Sequence, residues 1–189
     1  MNLEQLKKAF KQEKQLEYIF FWGHSEKPGT ITKACLSQWY PCTFQSGDII
    51  YHTAEQYMMA QKALLFNDQE VFNEIMQAAD PRQYQKLGRR TRFFKEEVWN
   101  KNKYKIVVDG NIAKFSQNPE LGGFLKKTGD KILVEASPYD HIWGIGMSQD
   151  NLGINNPFNW NGSNLLGFAL MDVRKILWTD TKPKTNNKD

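Results

Sequence analysis

Long hydrophobic runs are absent from this sequence: no apolar stretch approaches the ~20 residues that a membrane-spanning helix needs. The first residues, MNLEQLKKAFKQEKQLE, are charged throughout and lack the apolar segment of a secretory signal peptide. These two absences predict a protein that works in the cytoplasm and has no membrane partner.

Metal ligands and disulfide partners are also scarce, because the 189 residues include only two cysteines and three histidines. Cys35 and Cys42 are too few for a disulfide framework, and neither a CxxC nor an HExxH spacing occurs. We therefore expect two reduced thiols, no metal site and no cofactor.

The composition is that of one globular domain, with 40% hydrophobic and 24% charged residues. A net charge of +4 tolerates a phosphate-bearing ligand but does not by itself predict a nucleic-acid surface. Aromatic residues reach 13%, including six tryptophans, which suits a pocket for a flat or sugar-like ligand as well as a core.

Hydrophobic periodicity predicts an α+β fold, a compact and mostly helical single domain with a few short strands. We expect an N-terminal helix within residues 1–17, a domain over 18–178 and a flexible tail over 179–189. Strands are predicted at 18–22 and 48–51, with loops and short extended pieces over 23–47. Helices are predicted over 3–16, 53–66, from 68, from 80 to 88, 95–116, 118–128 and 164–177. In the helix over 95–116, four residues are predicted to face inward: Val98, Trp99, Ile106 and Ala113.

The segment HTAEQYMMAQKALLF carries an acid and a lysine on one helix face. Glu55 and Lys62 lie seven residues apart, which is two helical turns, with Met58 and Met59 between them. An exposed ion pair is one interpretation. However, the helix is apolar nearly all round and is therefore predicted to be buried. Burial raises the pKa of a glutamate and lowers that of a lysine, which prepares an acid–base group and a nucleophilic amine.

The segment EASPYDHIWGIG, residues 135–146, holds more functional groups than a connecting loop needs. Asp140 is a candidate catalytic carboxylate, and Trp143 is able to stack on a base or a ribose, or to pack in the core. Gly144 allows a ligand to approach the backbone closely. We expect Glu135 to give structural support and His141 to be a packed or surface residue.

Several segments together resemble the NADAR or YbiA-like family. They include YIFFWGH, CLSQWYPCTF, YHTAEQYMMAQKALLF, LKKTGDKILVEASPYDHIWGIG and NWNGSNLLGFALMDVRKIL, in the order of the family. The resemblance implies a YbiA-like fold and an N-glycosidase that cleaves a bond between nitrogen and a ribose carbon. Many relatives have FSNF where this chain has LSQWY, so Gln38 and Trp39 replace Asn and Phe at the edge that sets ligand specificity.

The resemblance implies two substrate classes, ADP-ribose attached to guanine bases and phosphorylated riboflavin-pathway intermediates. The expected partner is an ADP-ribose-like or ribosyl-phosphate substrate, with ADP-ribosylated DNA or RNA as its larger form. We expect a monomer or weak dimer. A non-catalytic sensor of ADP-ribose or a nucleotide is the alternative from another class.

The candidate catalytic residues are Glu55, Lys62 and Asp140. We favour a route in which Lys62 forms a Schiff base with the sugar, over an oxocarbenium route in which a carboxylate activates water. Arg89 is a candidate phosphate ligand or a solvated arginine, Trp99 is a pocket wall or core residue, and Asn164 is a phosphate ligand or helix cap. The candidate substrate-binding residues are Phe21, Trp22, Gly23, Ser37, Gln38, Met59, Arg89, Trp99, Trp143, Gly144 and Asn164.

Overall fold

The computed structural model describes residues 1–27 and 29–178. The predicted tail, 179–189, lies outside this range. Within the described residues, no helix is both long enough and apolar enough to cross a membrane.

Helices form most of the regular structure of the described residues. Their bounds are α1 Leu3–Lys11, α2 Ala54–Leu65, α3 Gln69–Gln77, α4 Pro81–Gly88, α5 Glu96–Gln117, α6 Pro119–Lys127 and α7 Leu165–Trp178. A 3₁₀ turn spans Lys33–Leu36. The prediction of a mostly helical α+β domain is confirmed, although α1 ends five residues before the predicted residue 16.

The described strands are short: β1 Tyr18–Phe21, β2 Phe44–Ser46, β3 Ile49–Tyr51 and β4 Ile132–Glu135. Strand β1 pairs in parallel with β4, which sets Phe21 opposite Glu135. Strands β2 and β3 form an antiparallel hairpin. The strands predicted at 18–22 and 48–51 are each one residue shorter in the structure, and β2 lies within the segment predicted as loops and short extended pieces.

Helix α2 lies at the centre of the fold, packed against α3, α4 and α5. Every residue from Ala54 to Ala60 is buried, which confirms the prediction of a buried helix. The close packing depends on glycine in the neighbouring helices. A Cβ atom on Gly88 of α4 would lie 2.2 Å from the sulfur of Met59, and one on Gly110 of α5 would lie 2.4 Å from the ring of Tyr57.

Helix α5 buries most completely a set of residues other than the four predicted to face inward. Those four are half-buried, and three of them, Trp99, Ile106 and Ala113, pack against the core as predicted. The buried residues of α5 are Val107, Gly110, Asn111, Lys114 and Phe115. They recur at helical spacing, but Asn111 and Lys114 are polar, so a hydrophobicity pattern does not select this face.

Strand β4 is covered by helix α7, with which it makes close backbone contact. A Cβ atom on Gly167 would lie 2.0 Å from the Leu133 carbonyl oxygen, so only glycine fits there. Leu6 of α1 joins the same hydrophobic cluster as Ile132 and Val134 of β4. This packing fixes the end of β4, from which the segment 135–146 leaves the sheet.

Candidate active site

The first turn of α2 carries Glu55 into the interior. Thr53, with Gln56 three residues later, matches the pattern of a capping box, and the Thr53 hydroxyl oxygen accepts a hydrogen bond from the Gln56 backbone N–H at 3.0 Å. The reciprocal bond of a capping box is not made, because Gln56 Oε1 accepts from the backbone N–H of His52 instead of Thr53. This start fixes Glu55 one residue inside the helix, where only 4% of its surface is exposed.

Groups from three other parts of the chain surround Glu55. The Gln38 carbonyl oxygen accepts from the Glu55 backbone N–H at 2.9 Å, and the Trp39 side chain donates a hydrogen bond to the Glu55 carboxylate. Burial and the negative charge of Asp140 raise the pKa of Glu55 to about 8, against the lowering effects of Arg89 and of the Trp39 hydrogen bond. Glu55 is therefore mostly protonated at neutral pH.

Asp140 shapes the segment after β4 through its side chain. Its Oδ1 accepts hydrogen bonds from the backbone N–H groups of Ile142 and Trp143, at 2.8 and 2.7 Å. Its carbonyl oxygen accepts from Gly146, whose φ of 61° suits glycine. Trp143 is half-buried and packs against the main core. The structure thus holds Asp140 in a fixed turn, from which its negative charge acts on Glu55.

Glu135 is the residue whose surroundings the sequence analysis missed. Burial, and then the charges of Asp140 and Glu55, raise the pKa of the Glu135 carboxyl group to about 8. Its Oε2 atom is buried and has no hydrogen-bond partner among the described residues. The three carboxyl groups of Glu55, Glu135 and Asp140 are therefore electrostatically coupled, and we call them the carboxyl cluster. The sequence feature that could have identified Glu135 is its position as an acidic residue directly after the apolar run 132–134.

Lys62 lies two turns along α2 from Glu55, among aromatic rings. Its Nζ is 4.5 Å from the centre of the Phe94 ring and 5.5 Å from that of Trp99. Burial, and then the positive charge of Arg89, lower the pKa of Lys62. Arg89 is exposed, and its positive charge lowers the pKa of both Lys62 and Glu55.

The candidate substrate-binding residues 21–23 are only partly at the surface. Phe21 is fully buried and packs in the core, whereas Trp22 is exposed and lies 6.3 Å from the ring of Tyr139, centre to centre. Gly23 has a φ of 82°, which turns the chain after Trp22. Trp22 and Tyr139 together form an exposed aromatic pair beside the segment that carries Asp140.

Ser37 and Gln38 are held by the protein itself. The Ser37 hydroxyl oxygen accepts from the Trp39 backbone N–H at 3.1 Å. The Gln38 side-chain oxygen accepts from the Asn111 amide of α5 at 2.8 Å, and Gln38 is buried. Gln38 therefore connects its segment to α5. That these two residues bind substrate stays a prediction.

Gly144 and Asn164 fasten the segment 135–146 to the sheet. A Cβ atom on Gly144 would lie 2.9 Å from the Glu135 carbonyl oxygen, so the two chain segments touch only because the residue is glycine. The Asn164 backbone N–H donates to the Gly144 carbonyl oxygen. The buried Asn164 amide donates to the Leu133 carbonyl oxygen and accepts from the Glu135 backbone N–H, at 2.9 and 3.0 Å. Both residues thus fix the position of Glu135.

The remaining predicted binding residues divide between core and surface. Met59 is buried against Gly88 of α4, and Trp99 is half-buried beside Lys62. Arg89 is exposed and its guanidinium donates to Gln85 of its own helix at 3.2 Å. Of these three, Arg89 and Trp99 lie in the surroundings of Lys62, and their contact with substrate stays a prediction.

Comparison with known proteins identifies the family. The NADAR domain matches residues 20–178, which is most of the chain, and the chain therefore belongs to the NADAR family. An N-glycosidase of Acanthamoeba polyphaga mimivirus is 45% identical over 165 residues, covering 84% of this chain and 95% of that protein. The chloroplastic riboflavin biosynthesis protein PYRR of Zea mays is 32% identical over 144 residues, covering 71% of this chain and 21% of that protein.

A solved structure agrees with this assignment. The NMR structure of the E. coli protein YbiA matches with a TM-score of 0.67 and 26% sequence identity, covering 88% of each chain. The resemblance to NADAR and YbiA-like proteins that the sequence motifs indicated is confirmed, and so is the YbiA-like fold.

Proposed function

We propose that this protein is a hydrolase, an N-glycosidase that cleaves a ribosyl–nitrogen bond and removes ADP-ribose from guanine bases of nucleic acid. The observation that carries the proposal is the carboxyl cluster together with the partly desolvated Lys62, since the charge of Arg89 acts on both Glu55 and Lys62. Such an arrangement supplies a carboxyl group that is protonated at neutral pH and an amine that loses its proton more readily than an ordinary lysine. The N-glycosidase name of the mimivirus relative supports the reaction class.

The chemistry follows from the protonation states. Glu55, whose pKa is about 8, donates its proton to the ribose ring oxygen while the nitrogen lone pair opens the ring to an iminium ion. The Lys62 amine then adds to the ribose C1 carbon. The Glu55 carboxylate moves a proton from the lysine nitrogen to the departing nitrogen, and the base leaves as a free amine. Water hydrolyses the remaining Schiff base, which releases the ribose and regenerates Lys62.

The oxocarbenium route uses the same groups differently. There a protonated carboxyl group assists departure of the base, and Asp140 activates the water that attacks C1. Lys62 would then only stabilise charge. The lowered pKa of Lys62 favours the Schiff-base route, because a lysine kept as an ion would be the better charge stabiliser and the poorer nucleophile.

Two features outside the carboxyl cluster support an ADP-ribosyl substrate. Arg89 offers an exposed guanidinium that suits a diphosphate. The exposed pair of Trp22 and Tyr139 offers an aromatic surface for a nucleobase. A phosphorylated riboflavin-pathway intermediate is the second candidate substrate, and the name of the Zea mays relative favours it.

The test offers the enzyme two substrates in parallel, an oligonucleotide with ADP-ribosylated guanine and a phosphorylated riboflavin-pathway intermediate. We expect base release from the first. Borohydride added during turnover should reduce the Schiff base to a stable amine on Lys62, which mass spectrometry locates. Lys62→Arg keeps the charge but should abolish both release and trapping, whereas Lys105→Arg on the surface of α5 should leave both unchanged.

Each other result has a definite meaning. Base release that persists in Lys62→Arg would overturn the Schiff-base route and favour the oxocarbenium route. Base release from the riboflavin-pathway intermediate alone would identify that intermediate as the substrate, in place of ADP-ribosylated guanine. Binding of ADP-ribose with no release from either substrate would overturn the enzyme proposal and favour the sensor.

A further inference from the structure

Lys114 of α5 is a lysine buried in the protein interior. None of its surface is exposed, and its Nζ donates a hydrogen bond to the Ser37 carbonyl oxygen at 2.8 Å. No carboxylate forms an ion pair with it within the described part of the chain. The Nζ lies 5.0 Å from the ring centre of Phe115 and 5.6 Å from that of Tyr40. Burying an amine in this way costs free energy, and its hydrogen bond offsets part of that cost.

The neighbouring thiols do not neutralise this amine. Burial raises the pKa of Cys35 to about 12 and also raises that of Cys42, so both are uncharged at neutral pH. Burial also lowers the pKa of Lys114 itself. The hydrogen bond to Ser37 is therefore the main polar interaction of Lys114.

That hydrogen bond is one of two by which α5 holds the segment 37–39. Asn111, one turn before Lys114, donates to the side chain of Gln38 at 2.8 Å. The segment in turn holds Glu55 at two points. The Gln38 carbonyl oxygen accepts from the Glu55 backbone N–H, and the Trp39 side chain donates to the Glu55 carboxylate. A continuous set of hydrogen bonds thus runs from α5 through this segment to Glu55.

We propose that Lys114 is a positioning residue, which anchors the segment 37–39 so that Gln38 holds the backbone of Glu55 and Trp39 holds its carboxyl group. Lys114 is fully buried and is separated from Glu55 by this segment, so it acts through it and not on substrate. The catalytic meaning of this role rests on the proposed function, in which Glu55 is the proton donor.

Charged groups on other elements also face Glu55. Asp140 comes from the segment after β4, Glu135 from the end of β4 and Arg89 from the end of α4. None of these three is carried by the segment 37–39. In the intact protein the Trp39 hydrogen bond lowers the pKa of Glu55. Loosening the segment 37–39 should remove this hydrogen bond and leave the effects of burial, Asp140, Glu135 and Arg89 in place. The expected result is a higher pKa for Glu55.

The test compares Lys114→Met, which keeps the length of the side chain but removes the donor, with Lys105→Met on the exposed face of α5. We expect kcat of Lys114→Met to fall at least ~10-fold with a smaller change in KM, because proton donation is misaligned. The alkaline limb of its pH–rate profile should move to higher pH, as in Trp39→Phe. Lys114→Gln, which keeps an N–H donor, should recover part of kcat. Lys105→Met should match the unmodified protein.

A second measurement does not depend on turnover. The protein is labelled with ¹³C at glutamate side-chain carboxyl carbons, and the Glu55 signal is assigned with Glu55→Gln. The titration midpoint of Glu55 should rise by about 0.5 or more in Lys114→Met and in Trp39→Phe. A folded Lys114→Met protein with an unchanged midpoint and kcat would overturn the positioning role. If Lys114→Met does not fold, Lys114→Gln serves in its place, with a smaller rise expected and an unchanged midpoint again decisive. A shifted midpoint in a protein that turns over no substrate would instead overturn only the proposed function.

Discussion

The negative charge of Asp140 raises the pKa of Glu55, although one residue lies in a turn after β4 and the other in the first turn of α2. Asp140 is itself fixed by two backbone N–H groups, those of Ile142 and Trp143. Its distance from Glu55 is therefore set by the fold and not by a mobile side chain. A single isosteric substitution of Asp140 should therefore change the pKa of Glu55.

Asp140→Asn should move the alkaline limb of the pH–rate profile to lower pH. Activity of the unmodified protein should fall as pH rises through about 8, because protonated Glu55 is the active form. Asn keeps an oxygen that accepts from Ile142 and Trp143 but removes the charge, so the pKa of Glu55 falls. The measurement is kcat/KM against pH. An unmoved limb in a folded variant would contradict the assignment of this limb to Glu55.

Glu55→Gln should lower kcat by about 10²–10⁴-fold, the range for loss of a general acid. The fold should persist, because Gln has nearly the same shape and resembles the protonated carboxyl group that is present at neutral pH. Single-turnover base release and circular dichroism measure the two properties. Glu97→Gln, on the exposed side of α5, is the matched control and should retain full activity. Retention of more than a tenth of kcat in Glu55→Gln would exclude Glu55 as the proton donor.

Glu135→Gln should flatten the dependence of stability on pH. The pKa of Glu135 is raised from 4.5 to about 8 in the folded protein, so between these values the folded state binds more protons than the unfolded state. The free energy of unfolding should therefore fall as pH rises through this window. Urea unfolding at pH 5, 6, 7 and 8 measures the slope, which should be shallower in Glu135→Gln and unchanged in Glu97→Gln. Equal slopes in all three proteins would show that Glu135 ionises normally.

Gly167→Ala should destabilise the protein by about 2 kcal/mol or more, because the added methyl group would lie 2.0 Å from the Leu133 carbonyl oxygen and the backbone cannot yield cheaply. Gly123→Ala in α6 is the control, since no atom lies within 4 Å of its added Cβ. That variant should be stabilised by up to about 1 kcal/mol through helix propensity. Urea unfolding at constant pH distinguishes the two. Similar effects from both substitutions would contradict close contact between α7 and β4.

Local signals explain which parts of the fold were predictable. Thr53, Asp68 and Asp80, where three helices were predicted to begin, each accept a hydrogen bond from the first turn of the following helix. These contacts span only two or three residues, so spacing along the chain determines them. The buried face of α5 was not predictable in this way. Its Asn111 and Lys114 are buried because the segment 37–39 offers them oxygen atoms, and that segment is distant in sequence.

The sequence by itself determined that α2 is buried with Glu55 and Lys62 on it, because a helix apolar on nearly every side has no face for water. Its motifs also determined the family. Only the tertiary structure decided that Glu135 joins Glu55 and Asp140, and that Trp39 donates to Glu55. Electrostatic coupling and desolvation depend on distance in space, and tertiary packing sets those distances between residues far apart in the chain.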